Sequence, residues 1–298
     1  MKCVVRLLLA AAGVLAVAAH AAGIRVTDDR GVTLDLAAPA ARIIALAPSI
    51  TELVYAAGAG AQLAGVPRFS DFPPQAAALP QIGDGSSIDA ERVLSLRPDL
   101  VIGWKSGNRA SDMARLERLG FKLFVIEPTA LVDVPRVLRM IGALAGTAAQ
   151  AEAAAHAFED GLQVLRARYA GASSVRVFYE IWHEPLMTVN RQHMISDVLR
   201  LCGGENIFAE LPVLTPVVSL EDVIARRPQV VLGGGSAVSA DELAALWRRH
   251  ADLAGLRGLP VLRIDPDAIQ RQTPRVLSGA QQVCAALDSV RKSRGRME

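Results

Sequence analysis

An internal repeat restricts the fold of this chain more than any other feature. Residues 88–103, IDAERVLSLRPDLVIG, run in frame with residues 218–233, VSLEDVIARRPQVVLG, at a constant offset of 130. Glu, Val, Arg, Pro, Val and Gly recur at 91/221, 93/223, 97/227, 98/228, 101/231 and 103/233. Each copy reads as a short capped helix, an Arg-Pro break and an apolar strand. Proline ends the helix because it has no N–H and its ring clashes with the preceding turn. The strand is apolar on both faces, as in a parallel sheet covered by helices. Two copies therefore predict two similar α/β lobes.

The rest of the chain fits that frame. Strands are expected at residues 43–47, 65–66, 100–103 and 122–126, alternating with helices at 50–57, 89–96 and 113–119. Ser49 and Glu52 fit a capping box for the first helix, and Gly58 stops it. The alternation resumes after Ser174, with strands at 176–181, 230–232 and 261–264 and helices at 195–202, 220–225, 241–250 and 275–291. Between the two blocks lies a helical stretch, Val134 to Tyr169, broken at Gly146-Thr147. The expected organisation is an N-terminal lobe over 24–130, a helical linker over 131–170 and a C-terminal lobe over 174–292. Both lobes carry parallel sheets.

The N-terminus carries Lys2 and Arg6, an apolar run from Leu7 to Ala19, and then Ala19-His20-Ala21. This is the pattern of an export signal over residues 1–21, cleaved after Ala21. The run is too short to span a bilayer. Cleavage removes Cys3 and leaves Cys202 and Cys284, which read as a disulfide or as two buried thiols. A net charge of +2, with no basic stripe, excludes a nucleic-acid footprint.

In open parallel sheets, ligands bind beyond the carboxyl ends of the strands. The residues to inspect are therefore Ser49, Phe69, Trp104, Trp182, His183 and Asp265. Trp104 and Trp182 directly follow strands, which suits the rim of a cleft, whereas Trp247 reads as core. His183 and His193 have no recognised metal-ligand spacing, and no metal is expected. There is no nucleophile elbow, no P-loop and no dinucleotide fingerprint. With export and two lobes, this favours binding over catalysis, with an exported α/β enzyme as the alternative. Glu91 and Glu221 each open a helix in the repeat. Two carboxylates in approximate two-fold relation suit a two-fold symmetric partner with basic sockets.

Residues 42–53, RIIALAPSITEL, together with Gly65-Val66, Ser70-Asp71-Phe72-Pro73 and Glu91 to Gly103, resemble the helical-backbone class of ABC-importer binding proteins. That class serves vitamin B12, haem and iron siderophores. Within it, residues 201–208, LCGGENIF, and 281–284, QQVC, resemble the periplasmic vitamin B12-binding proteins. The resemblance covers about residues 40 to 290. It implies Rossmann-like lobes tied by a long rigid helix, and a corrinoid held in the interlobe cleft as transported ligand, with no cofactor. It implies a Cys202–Cys284 bridge. Glu91 and Glu221 would meet arginines of a two-fold symmetric permease in the inner membrane. The protein would be periplasmic and monomeric when free. Trp104 matches a cleft Trp, Phe69 stands where the family has Tyr, and Asp265 and Trp182 align with ligand contacts. A family Trp near Gly85-Ser86 and another near Thr215 are absent, which leaves haem or a ferric siderophore as alternative ligands.

Overall fold

The computed structural model describes residues 23–84, 87–235, 239–250, 252–253 and 256–295. The expected export signal at 1–21, its expected cleavage point after Ala21, Cys3 and Gly85-Ser86 lie outside the described residues. The chain opens with an antiparallel hairpin of β1 (Ile24–Thr27) and β2 (Thr33–Leu36). The N-terminal α/β block follows: β3 (Ile43–Ala45), α1 (Pro48–Ala56), β4 (Leu63–Gly65), the short hairpin β5 (Gly83–Asp84) and β6 (Ser87–Ile88), α2 (Ala90–Leu96), β7 (Leu100–Trp104), α3 (Ala110–Arg118) and β8 (Leu123–Ile126). Helices α4 (Asp133–Ala145) and α5 (Ala148–Tyr169) come next. The second block comprises β9 (Val175–Glu180), α6 (Met194–Leu201), β10 (Gly204–Asn206), α7 (Leu220–Ala225), β11 (Val230–Gly233), α8 (Ala240–Arg248), β12 (Val261–Arg263), α9 (Pro266–Ile269) and α10 (Val276–Arg294).

The two sheets have the same topology. Their spatial orders are β4-β3-β7-β8 and β10-β9-β11-β12, and all six pairings are parallel. In chain order within each lobe, both read 2-1-3-4. The repeat seen in sequence is thus a repeat of whole lobes.

Side chains alternate along each strand between two cores. Ile43, Ala45, Leu100 and Ile102 of the first sheet, with Val177, Tyr179, Val230 and Leu232 of the second, belong to one continuous apolar cluster. Ile44, Val101 and Val125 face a second cluster beneath α2 and α3, and Phe178 and Val231 face a third with Trp247. The shared cluster runs through Val137, Leu138 and Ile141 of α4 and Ala155, Phe158 and Leu162 of α5. The helices between the sheets are therefore packed on both lobes rather than strung between them. Burial of each such Leu, Ile or Phe contributes about 2 kcal/mol relative to exposure. The α4–α5 crossing is close: a Cβ on Gly142 would stand 2.3 Å from Ala151 Cβ. Gly146 ends α4 at φ 72°, a left-handed conformation that glycine adopts without steric cost. Cys202, just after α6, is joined by a disulfide to Cys284 in α10, with both side chains fully buried.

The expected capping box of Ser49 and Glu52 does not form. Pro48 opens α1, the N-cap is Ala47 with no side-chain hydrogen bond, and Ser49 is buried in the first turn. Proline at the first helical position replaces an N–H that has no intrahelical partner in any case. Glu52 is thereby free for a different role, across the interlobe boundary.

Candidate functional site: the interlobe cleft

The carboxyl ends of both sheets open on one cavity of about 910 Å³, toward the upper end of small-ligand sites. The first lobe contributes Phe69, Asp71, Trp104 and Ser106. The second contributes Ile181, His193, Leu214 and Thr215, and the α9 segment adds Asp267, Gln270, Arg271 and Gln272.

Trp104 is the last residue of β7, half-buried, and held by its own backbone: its N–H donates to Asn108 Oδ1 at 2.7 Å, and Asn108 Nδ2 donates to Leu46 O. Its indole packs against Gly107, where a Cβ would stand 1.9 Å from the ring. Phe69 is 63% exposed and sits at φ 67°, a strained value for a residue with a Cβ. The Arg68 guanidinium lies 4.9 Å from the centre of its ring.

The polar wall is organised by an ionic cluster that joins the lobes. Glu52 of α1, with its side chain 2% exposed, accepts from Arg271 at 2.8 Å, Thr273 Oγ1 at 2.9 Å and Arg275 at 3.1 Å. Arg271 also pairs with Asp71 across the cleft and with Asp267 one turn away, and Arg275 stacks over Phe72 at 4.3 Å. Burial disfavours the charge on Arg271, but the hydrogen bonds to Glu52 and Asp71 outweigh it and raise its pKa. This cluster has no sequence signature, because its members lie some 200 residues apart.

His193 is the N-cap of α6. Its Nδ1 accepts from Ile195 N at 3.1 Å, so in the neutral ring the proton resides on Nε2. Burial pushes its pKa down to about 4. Among the described residues, no cluster of three or more His, Cys, Asp or Glu forms a metal site.

Of the six residues expected at the cleft, Phe69 and Trp104 line it and the other four do not. Ser49 is buried within α1. Trp182, next to the lining residue Ile181, is 48% exposed and donates from Nε1 to Glu184 O. His183 Nδ1 lies 3.0 Å from Glu180 Oε1. Asp265 is the N-cap of α9, accepting from Asp267 N, one step behind the wall. Thr215, where the resemblance expects a Trp, does line the cavity. The wall residues Gln270 to Gln272 follow β12 and α9, so the rule of strand carboxyl ends extends one short helix further than Asp265.

Glu91 and Glu221 occupy the second position of α2 and α7, exposed and away from the cleft wall. Asp89 caps the first helix and Ser219, with Asp222, caps the second.

Residues 43–256 match a family profile described as periplasmic binding protein. A vitamin B12-binding protein of Vibrio cholerae serotype O1 is 36% identical over 254 residues, covering 85% of this chain and 91% of the relative. One from Yersinia pestis (strain Pestoides F) is 37% identical over 258 residues, covering 86% and 90%. The crystal structure of the periplasmic vitamin B12-binding protein BtuF of Vibrio cholerae superposes with a TM-score of 0.78, covering 85% of this chain and 99% of that one, at 36% identity. The periplasmic haem-binding protein RhuT of Roseiflexus sp. RS-1, at 23% identity and a TM-score of 0.73, covers 84% and 98% and shares the fold. With two parallel-sheet lobes meeting at one cleft, the chain belongs to the periplasmic binding protein family.

Proposed function

We propose that this protein captures a corrinoid in the interlobe cleft and delivers it to an ABC importer, without catalysing a reaction. The relatives named as vitamin B12-binding proteins support this reading, and the composition of the cleft supports it independently. Phe69 and Trp104 offer aromatic faces to a flat macrocycle. Trp182 and His183, on the turn after Ile181, form the rim, and Asp265 holds the segment that carries Gln270 to Gln272. Ser49, buried in the first turn of α1, is not among the residues that line the cavity. The amides Gln270 and Gln272 suit the amide-bearing periphery of a corrinoid.

The observation that carries the choice of ligand is His193. A haem iron ligated through Nε2 needs a lone pair there, whereas the Nδ1 bond to Ile195 N places a proton on it. Arg271, the cation of the wall, is already engaged by three carboxylates, which disfavours the carboxylates of haem or a siderophore. Tryptophan quenching with cyanocobalamin tests the reading: saturable quenching is expected, and none at tens of micromolar would refute it. Haem giving a Soret band that disappears on His193→Asn would favour the haem reading instead.

Export places the mature protein in the periplasm, with the leader removed after Ala21. The free protein is a monomer. Glu91 and Glu221 dock on basic sockets of a two-fold symmetric permease.

A further inference from the structure

The two glutamate-bearing helices are very short. At seven and six residues, α2 and α7 are far below the length at which a helix holds itself in water. Something else must fix their orientation. At their N-terminal ends the caps Asp89 and Ser219 stand at equivalent repeat positions.

At their C-terminal ends an arginine performs the same task in both lobes. Arg42, immediately before β3, donates from Nε and Nη2 to Leu96 O at 3.0 and 2.6 Å, and from Nε to Arg97 O at 3.3 Å. Arg176, at the start of β9, donates from Nη2 to Arg226 O and from Nε to Arg227 O at 3.3 Å. Leu96/Arg226 and Arg97/Arg227 are equivalent positions of the repeat. The backbone of each arginine is held in turn by the residue after the helix-ending proline. Asp99 Oδ1 accepts from Arg42 N at 3.0 Å, and Gln229 Oε1 accepts from Arg176 N at 2.9 Å. The amide N–H groups of Asp99 and Gln229 donate back to Arg42 O and Arg176 O. Each helix is followed by an arginine with positive φ, 46° at Arg97, the C-cap of α2, and 48° at Arg227, one residue beyond the C-cap of α7. Left-handed backbone is costly for arginine, and it turns these carbonyls toward the clamp.

We infer that Arg42 and Arg176 are paired positioning residues for importer docking, fixing the helices that carry Glu91 and Glu221 to the first strand of each sheet. This rests on the docking role proposed for the two glutamates. A guanidinium fork satisfies two helix-terminal carbonyls at once, and a lysine ammonium cannot reproduce its planar geometry. The same clamp in both lobes presets the relation between the two carboxylates, which a two-fold symmetric partner reads as one spacing.

The test compares Arg42→Lys/Arg176→Lys and Arg42→Gln/Arg176→Gln with the wild type and with Glu91→Lys/Glu221→Lys. The source organism's importer in proteoliposomes is titrated with each binding protein loaded with cyanocobalamin. Clamp variants should bind cyanocobalamin with unchanged Kd and reach the wild-type maximal uptake rate. They should need about tenfold more binding protein to reach half of it, the Lys pair less than the Gln pair. Amide exchange should rise most in α2 and α7, with a smaller rise around Glu205 of β10, which Arg176 also pairs. Should the glutamate reversal abolish uptake while the clamp variants keep the wild-type half-saturation, the positioning role is refuted. Should the glutamate reversal leave uptake intact, the docking reading fails, and the inference with it. A lowered melting temperature with unchanged half-saturation would assign the arginines a purely structural role and also overturn it.

Discussion

Replacing Glu52 by Gln removes the buried carboxylate from the ionic cluster that joins the two lobes. The carboxylate is 2% exposed and receives charge-assisted bonds from Arg271 and Arg275 and a hydroxyl bond from Thr273. Breaking one side of a buried ion pair usually costs about 3–5 kcal/mol, because the remaining charge is left uncompensated. Two circumstances reduce that here: Arg271 keeps Asp71 and Asp267, and the Arg275 side chain is 27% exposed and can rehydrate. The amide oxygen of Gln still accepts from one partner. A loss of about 3 kcal/mol is expected, or about 5 °C in Tm for a chain of this size. Urea unfolding followed by tryptophan fluorescence measures it, and a double-mutant cycle with Arg271→Gln isolates the pair, with an expected coupling of about 2 kcal/mol. A coupling below about 0.5 kcal/mol would refute the assignment of Glu52 as an interlobe tie. Because the apolar core is continuous between the lobes, unfolding should stay a single transition in every variant.

Acid should act through His193. Its folded pKa of about 4 lies below the ordinary value of 6.5, so between those pH values the unfolded chain binds the extra proton. That stability is fully present above about pH 6.5 and is lost as pH falls toward 4, by up to about 3 kcal/mol. His193→Asn, which keeps a capping oxygen, should flatten that window in pH-dependent urea titrations. Cys202→Ser/Cys284→Ser opens a loop spanning 82 residues and should cost at most about 4.5 kcal/mol of chain entropy, read as a lower urea midpoint with cyanocobalamin binding retained. Trp104→Ala should weaken cyanocobalamin binding by about tenfold in calorimetry, while Trp247→Phe, in the core beside Phe178, should change Kd by less than about twofold.

Much of the fold is legible locally. Leu220–Ala225 is helical as the repeat frame requires, and Ala148–Tyr169 follows from its Ala-rich composition and the Gly146 break. What escapes is nonlocal. The hairpin β1–β2 alternates apolar and polar residues as strands do, but over only four residues in each strand, too short a run to stand out. The Ser49–Glu52 capping box fails because Pro48 supplies a competing start to α1, and because Arg271 and Arg275, more than 200 residues away, make better use of the carboxylate. Of the site, Phe69 and Trp104 follow from the strand-end rule, whereas Arg271 acts through Glu52 and Asp71, 200 or more residues away, and His193 through a burial that only the folded chain supplies.

The repeat is symmetric where the protein would meet a symmetric partner and asymmetric where it would meet its ligand. Positions 89/219, 91/221, 97/227 and 99/229 keep cap, carboxylate, left-handed turn and clamp acceptor in both lobes. The cleft wall keeps no such correspondence: one lobe brings Phe69 and Trp104, the other His193, Gln270 and Arg271. A flat ligand with different edges requires unlike walls, while two sockets related by two-fold symmetry require like helices. The ionic tie at Glu52 and the continuous core under α4 and α5 reconcile the demands, because both fix the angle between lobes. The cleft width and the Glu91–Glu221 spacing then become two consequences of one geometry. A substitution that opens the cleft, such as Glu52→Gln, should therefore weaken ligand binding and raise the half-saturation for importer uptake together. The clamp variants at Arg42 and Arg176 should change the second alone.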